Sequence, residues 1–224
     1  MKWLAGHWQL LALCALVFAL WQTPLVVPLK ILIVFLHEVS HGLAALVSGG
    51  RIESISVSPA QGGLTVTRGG NLFAILSAGY LGSLAFGVAI LLIALRTHWD
   101  RALMGVLGGA MLLITALYIR EGFAFAFGLG GGAAMLAIAW FLRRDINDMA
   151  LRLIGLVSLI YVPWDIFNDT IQRAALRSDA YMLAEQVGGA TMFWGGLWLV
   201  VAALVIGAAL RWGLGRESNI RWRR

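Results

Sequence analysis

Long apolar runs constrain this chain more than any other feature. Seven of them lie near residues 8–27, 29–48, 71–95, 101–119, 122–142, 149–170 and 190–211. Each is about as long as a helix must be to cross ~30 Å of hydrocarbon. Inside such a layer no water satisfies the backbone, so each run has to bond its own N–H and C=O groups as a helix. Charge agrees with this. Only 12% of the 224 residues are charged and mean hydropathy is +0.84, whereas an ordinary soluble domain carries about 25% charged residues. Too little polar surface remains to cover a water-soluble globule. The expected fold is an all-α polytopic membrane protein with about six to seven transmembrane helices, arranged as a single integral domain over 1–224. The first run is expected to be a retained span. It follows only Lys2, lacks a clean small-residue cleavage site and leads straight into the next apolar run.

A net charge of +6 could suggest nucleic acid as a partner, but its distribution points to lipid. Arg96 and Arg101, Arg143 and Arg144, and Arg211 and Arg216 sit at the ends of apolar runs, and Arg221, Arg223 and Arg224 form a tail. Residues so placed orient helices and meet anionic headgroups. With seven spans and a cytoplasmic C-terminus, eleven basic residues fall inside and six outside, which favours that orientation. The lone cysteine, Cys14, rules out a disulfide framework and a cysteine-rich zinc site. Gly128 to Gly132 lie within the fifth run, where small residues let helices approach closely.

One segment is different in kind. Residues 51–68 alternate Ile52, Ile55 and Val57 with polar neighbours, turn at Pro59 to Gly63, and resume with Leu64 and Val66. Period-two alternation around a Pro/Gly turn predicts a short β-hairpin. Directly after the second run, it belongs at the membrane surface, with an unpaired edge to which an extended strand could add.

The second run carries His37-Glu38-Val39-Ser40-His41 in its middle. Residues four apart on a helix lie one above the other, so His37 and His41 can offer two imidazole nitrogens to one tetrahedral zinc ion. Glu38 lies one step round the helix, placed to act as a general base on a water. A carboxylate near mid-membrane costs about 2.5–3.5 kcal/mol, and Glu38 is the only acid in the first 52 residues. The bland alternative is a buried polar cluster or a proton relay. A catalytic zinc needs a third protein ligand and an open position. Asp165 and Asp169, four apart in the sixth run, are candidates, and Asp179 follows in a more polar stretch. Asp165 is preferred, with Asp169 as the alternative. Asp165 is flanked by Trp164, Ile166 and Phe167, and Pro163 would bend the helix beside it. His7 and His98 lie at the edges of runs and are poor candidates. One aspartate and one hydroxide would cancel the two zinc charges, the least costly state in a low-dielectric interior.

These residues resemble the site-2 protease group of intramembrane metalloproteases, the M50 peptidases, and in particular the short M50B-like bacterial branch. The likeness runs from His37 to about Glu185, over HEVSHG at 37–42, the hairpin with Gly62-Gly63, AGYLGS at 78–83, DIFNDT at 165–170 and SDA at 178–180. It implies a zinc-dependent endopeptidase acting on membrane-embedded or membrane-adjacent protein substrates, set in a bacterial inner membrane. His37 and His41 would be ligands, Glu38 the base, and an aspartate of a later helix the third ligand. The sequence departs from the group's patterns: Pro163-Trp164-Asp165-Ile166 stands in place of its N-P and L-D-G elements, and Tyr80 and Ser83 replace a Pro and an Asn. The sequence carries no PDZ domain, so any substrate filter would be a separate adaptor protein. Two rivals to the protease reading are a catalytically silent metal-binding or regulatory relative and a transporter. The second would be expected to show broken helices and repeat symmetry.

Overall fold

Six of the seven apolar runs are helices long and apolar enough to cross a membrane. They are α2 (Val27–Val47), α3 (Leu72–Arg96), α4 (Asp100–Tyr118), α5 (Gly122–Phe141), α6 (Arg144–Phe167) and α8 (Thr191–Gly213). The computed structural model describes residues 2–215 and 217–220. Arg216, Arg221, Arg223 and Arg224 of the orientation count lie outside the described residues. Two shorter helices complete the set: α1 (Lys2–Ala19) and α7 (Asp179–Val187).

The first run is not among these six: among the described residues its apolar stretch is Leu4–Ala19, and the helix ends before Pro24, where Thr23 Oγ1 donates to the Leu20 carbonyl at 2.7 Å. Pro28 then opens α2 in the first turn, the one place where a missing N–H costs nothing. Lys30, near the start of α2, is buried. Its Nζ donates to the Trp21 carbonyl at 2.8 Å and lies 4.3 Å from the centroid of the Trp21 ring, so carbonyl and indole satisfy the ammonium.

Six complete crossings return the chain to the face on which α2 begins. In agreement, the tail lies beside the start of α1. Ser218 N donates to the Gly6 carbonyl at 2.8 Å, His7 Nδ1 meets Ser218 Oγ at 2.8 Å, and Ile220 N donates to Gln9 Oε1 at 2.6 Å. Seven crossings would have parted these ends, so the seven-span orientation count does not carry over.

α2 is the most enclosed helix, with Ile31 to Leu36 and Glu38 to Gly42 all buried. α3 and α6 pack against it and against each other. Their contact is close because Gly87 faces Ser158 and Gly155 faces Leu91. α4 and α5 pair in the same way, Gly108 against Gly132 and Gly128 against Thr115, the use expected of the glycine-rich stretch. Leu113, Leu129, Trp140 and Leu204 point outward, apolar surface that suits lipid rather than water.

The hairpin forms as expected. β1 (Arg51–Val57) and β2 (Gly63–Arg68) pair antiparallel, from Val57 opposite Gly63 to Arg51 opposite Arg68, with an irregularity between Ile52 and Ser54. The turn is closed by Ser58 N donating to the Gly62 carbonyl at 2.8 Å. β1 lies on α2, where a Cβ on Gly42 would come within 2.7 Å of Ile52 Cδ1. The residue after His41 is therefore small because a strand rests on it.

α6 runs through Pro163 and opens into a π-helical turn, Asn168–Gln172. Such turns recur at functional sites.

Candidate metal centre

One helical turn stacks His37 over His41, ring centroids 4.7 Å apart and planes at 77°. Their Nε2 atoms face the same carboxylate oxygen. Asp179 Oδ2 lies 3.0 Å from His37 Nε2 and 3.3 Å from His41 Nε2. Among the described residues, these three form a group of possible metal donors lying within 4.8 Å of one another.

The protonation of His41 follows from its other side. Nδ1 is 2.7 Å from the Ile75 carbonyl oxygen, which can only accept, so Nδ1 carries the hydrogen. A neutral His41 then presents a bare lone pair on Nε2 to a carboxylate oxygen. Two acceptors facing each other at this distance repel unless a proton or a cation lies between them. A divalent ion suits this donor set, since two imidazole nitrogens and one carboxylate oxygen are zinc ligands and the fourth position stays open. The bond to Ile75 also supplies the outer hydrogen bond that fixes the tautomer of a ligating histidine.

Space for the two rings comes from α3. A Cβ on Gly79 would lie 2.3 Å from His37 Nε2 and 2.6 Å from His41 Cε1. One on Gly82 would lie 2.5 Å from Ser40 Oγ. The AGYLGS stretch thus brings a bare helix face against the paired histidines. Tyr80, between the two glycines, sets its ring edge-on to His37 at 4.6 Å and 82°. Its Oη donates to Asp169 Oδ2 at 2.8 Å.

Asp179 opens α7, where Ser178 Oγ caps the helix by accepting from Tyr181 N at 3.3 Å. A negative charge is favoured at this end of a helix.

Glu38 is buried, 5% exposed, and its carboxylate meets the hairpin. Thr65 Oγ1 lies 2.7 Å from Glu38 Oε2 and 2.9 Å from the Glu38 carbonyl oxygen.

The two aspartates expected as third ligand lie close by but outside the convergent group. Asp165 sits near His37, Asp169, Asp179 and Tyr161. Both oxygens of Asp169 are engaged, Oδ2 by Tyr80 and Oδ1 by Arg173 at 2.5 Å. Asp179 was in view in the sequence as the acid of Ser178-Asp179-Ala180, and its polar neighbours argued against depth. The short α7 overrides them by folding back into the bundle, so that Ala180 and Leu183 are fully buried and Asp179 is 9% exposed.

A family model described as Peptidase M50B-like matches residues 10–209. No curated protein and no solved structure matches the chain.

Proposed function

The chain belongs to the Peptidase M50B-like family, and from that premise we propose that it is a zinc-dependent intramembrane endopeptidase. It hydrolyses peptide bonds of membrane-embedded or membrane-adjacent protein substrates. His37, His41 and Asp179 hold the zinc, and Glu38 is the general base. The third ligand is thus assigned to Asp179 in place of Asp165 or Asp169. The observation that carries the reading is the convergence of His37, His41 and Asp179, whose ligand atoms lie within 4.8 Å of one another.

Zinc, when bound, supplies Lewis acidity, which lowers the pKa of a water and polarises a carbonyl. The rest of the chemistry falls to the chain's own side chains. Glu38 takes the proton from the attacking water at its carboxylate and returns it to the leaving amine as the C–N bond breaks. His41, held by Ile75, keeps one nitrogen turned to the metal through the cycle. Burial of Glu38 and His41 limits bulk water.

A helical substrate hides its carbonyls, so the segment to be cut must unwind. β2 offers the means. Its partner β1 lies on one side only, and Leu64 and Val66 are exposed along it. An extended substrate pairs with this free edge and so passes beside Glu38. Selection of substrate rests with a separate adaptor protein, and the setting is a bacterial inner membrane.

The experiment is Glu38→Gln in detergent-solubilised protein, with fluorescein-labelled casein as an unstructured probe. Cleavage should fall by at least about 100-fold, the low end of a positioned base's contribution, with zinc retained. Cleavage at the wild-type rate would overturn the proposal.

A further inference from the structure

Glu38 is fixed from the hairpin rather than from its own helix. Side chains two apart on a strand share a face, and on β2 that face carries Gly63 and Thr65. Thr65 Oγ1 reaches Glu38 Oε2 at 2.7 Å and the Glu38 carbonyl at 2.9 Å. Its single hydroxyl hydrogen is shared between the two. Gly63 closes the other side of the carboxylate. A Cβ there would fall 2.3 Å from Glu38 Oε1, 2.6 Å from Cγ and 2.7 Å from Cδ. The hairpin touches both oxygens, one by a hydrogen bond and one by close backbone approach.

We propose that Thr65 is a positioning residue for the general base: its hydroxyl holds the Glu38 carboxylate in the one orientation that serves the reaction, against the backstop of Gly63. The proposal rests on Glu38 being that base. A long carboxylate side chain otherwise samples several rotamers, and a reacting group misplaced by about 1 Å can cost ~10²-fold in rate. The hairpin is bound to α2 at a second place, Ile52 on Gly42, so the strand that carries Thr65 is itself held in register with the helix that carries Glu38. Thr65 touches neither the metal donors nor the reacting atoms, and acts only through Glu38.

The test compares Thr65→Val, which keeps the shape and loses the hydroxyl, with Thr65→Ser, which keeps the hydroxyl. Both are assayed as zinc-loaded protein in mild detergent on fluorescein-labelled casein. Thr65→Val should lower kcat about tenfold or more, with KM and zinc content unchanged, and Thr65→Ser should restore most of the loss. A purely structural role would instead shift KM, zinc content and stability together, or would leave Ser no better than Val. Equal kcat for Thr65→Val and wild type overturns the proposal. A second readout does not need turnover. In the metal-free protein, the unfolding-temperature shifts of Thr65→Val and Glu38→Gln should be non-additive, and additive shifts overturn the proposal too. Should Glu38→Gln cleave like wild type, the assignment of the base itself fails and the role of Thr65 falls with it. If instead Glu38→Gln is dead and Thr65→Val is normal, only the positioning role is lost.

Discussion

The Ile75 carbonyl oxygen stands 2.7 Å from His41 Nδ1, and this contact decides which imidazole nitrogen faces Asp179. α3 does two things for the paired histidines. It supplies that acceptor at Ile75, and one turn later it withdraws its side chains at Gly79 to make room for both rings. The close packing of α2 and α3 is therefore part of the candidate centre, not only of the fold around it.

Gly79→Ala tests that relationship. The added methyl would lie 2.3 Å from His37 Nε2 and 2.6 Å from His41 Cε1, so a ring or a helix must shift. Overpacking of this kind costs about 1–3 kcal/mol, and much of it should appear as lost metal affinity. Zinc affinity measured by competition with a chelator is expected to fall at least about tenfold with helical content unchanged. Wild-type affinity would mean that α3 does not confine the rings.

Tyr80→Phe removes the hydroxyl that donates to Asp169 and leaves the ring against His37. Asp169 keeps Arg173 as a partner. The pair acts behind His37, so zinc should still bind, weakened by no more than the ~10–100-fold typical of outer partners. Asp169→Asn should behave alike. Complete loss of zinc in either variant would make Asp169 a direct ligand.

Proline scanning from Leu64 to Thr67 separates the two edges of β2. In an antiparallel pair, alternate residues direct their N–H groups to the partner strand and to the outside. Proline at an inward position breaks the hairpin, and unfolding should show it. At an outward position proline removes only a donor offered to substrate. Those variants are expected to keep zinc and the unfolding temperature while casein cleavage slows several-fold, and unchanged turnover there would exclude strand addition at β2.

Most of the architecture was legible in the sequence because it follows from local pattern. Six apolar runs set six spans, period-two alternation set the hairpin, and four-residue spacing set His37 and His41 on one face. Where the structure arranges residues otherwise than the local pattern suggests, the cause is tertiary. The run at 8–27 looked long enough to span, but Pro24 and the Thr23 hydroxyl break it, and Lys30 found an indole and a carbonyl inside the bundle. Asp165 looked deep by its apolar neighbours and Asp179 shallow by its polar ones. Nothing local to residues 173–187 shows that the short α7 turns back to bring Asp179 to His37, 142 positions away along the chain. The part played by Thr65 was hidden for the same reason. It lies 27 residues from Glu38, and a threonine in a predicted strand carries no mark of the side chain it will meet.

Zinc analysis of protein purified in mild detergent, never exposed to chelator, bears most directly on the centre proposed here. Wild type and Asp165→Asn are expected to carry about one zinc per chain, held by three protein ligands with the fourth position open, and Asp179→Asn and His37→Ala to carry almost none. Metal-free wild-type protein, or zinc retained by Asp179→Asn and lost from Asp165→Asn, would contradict it.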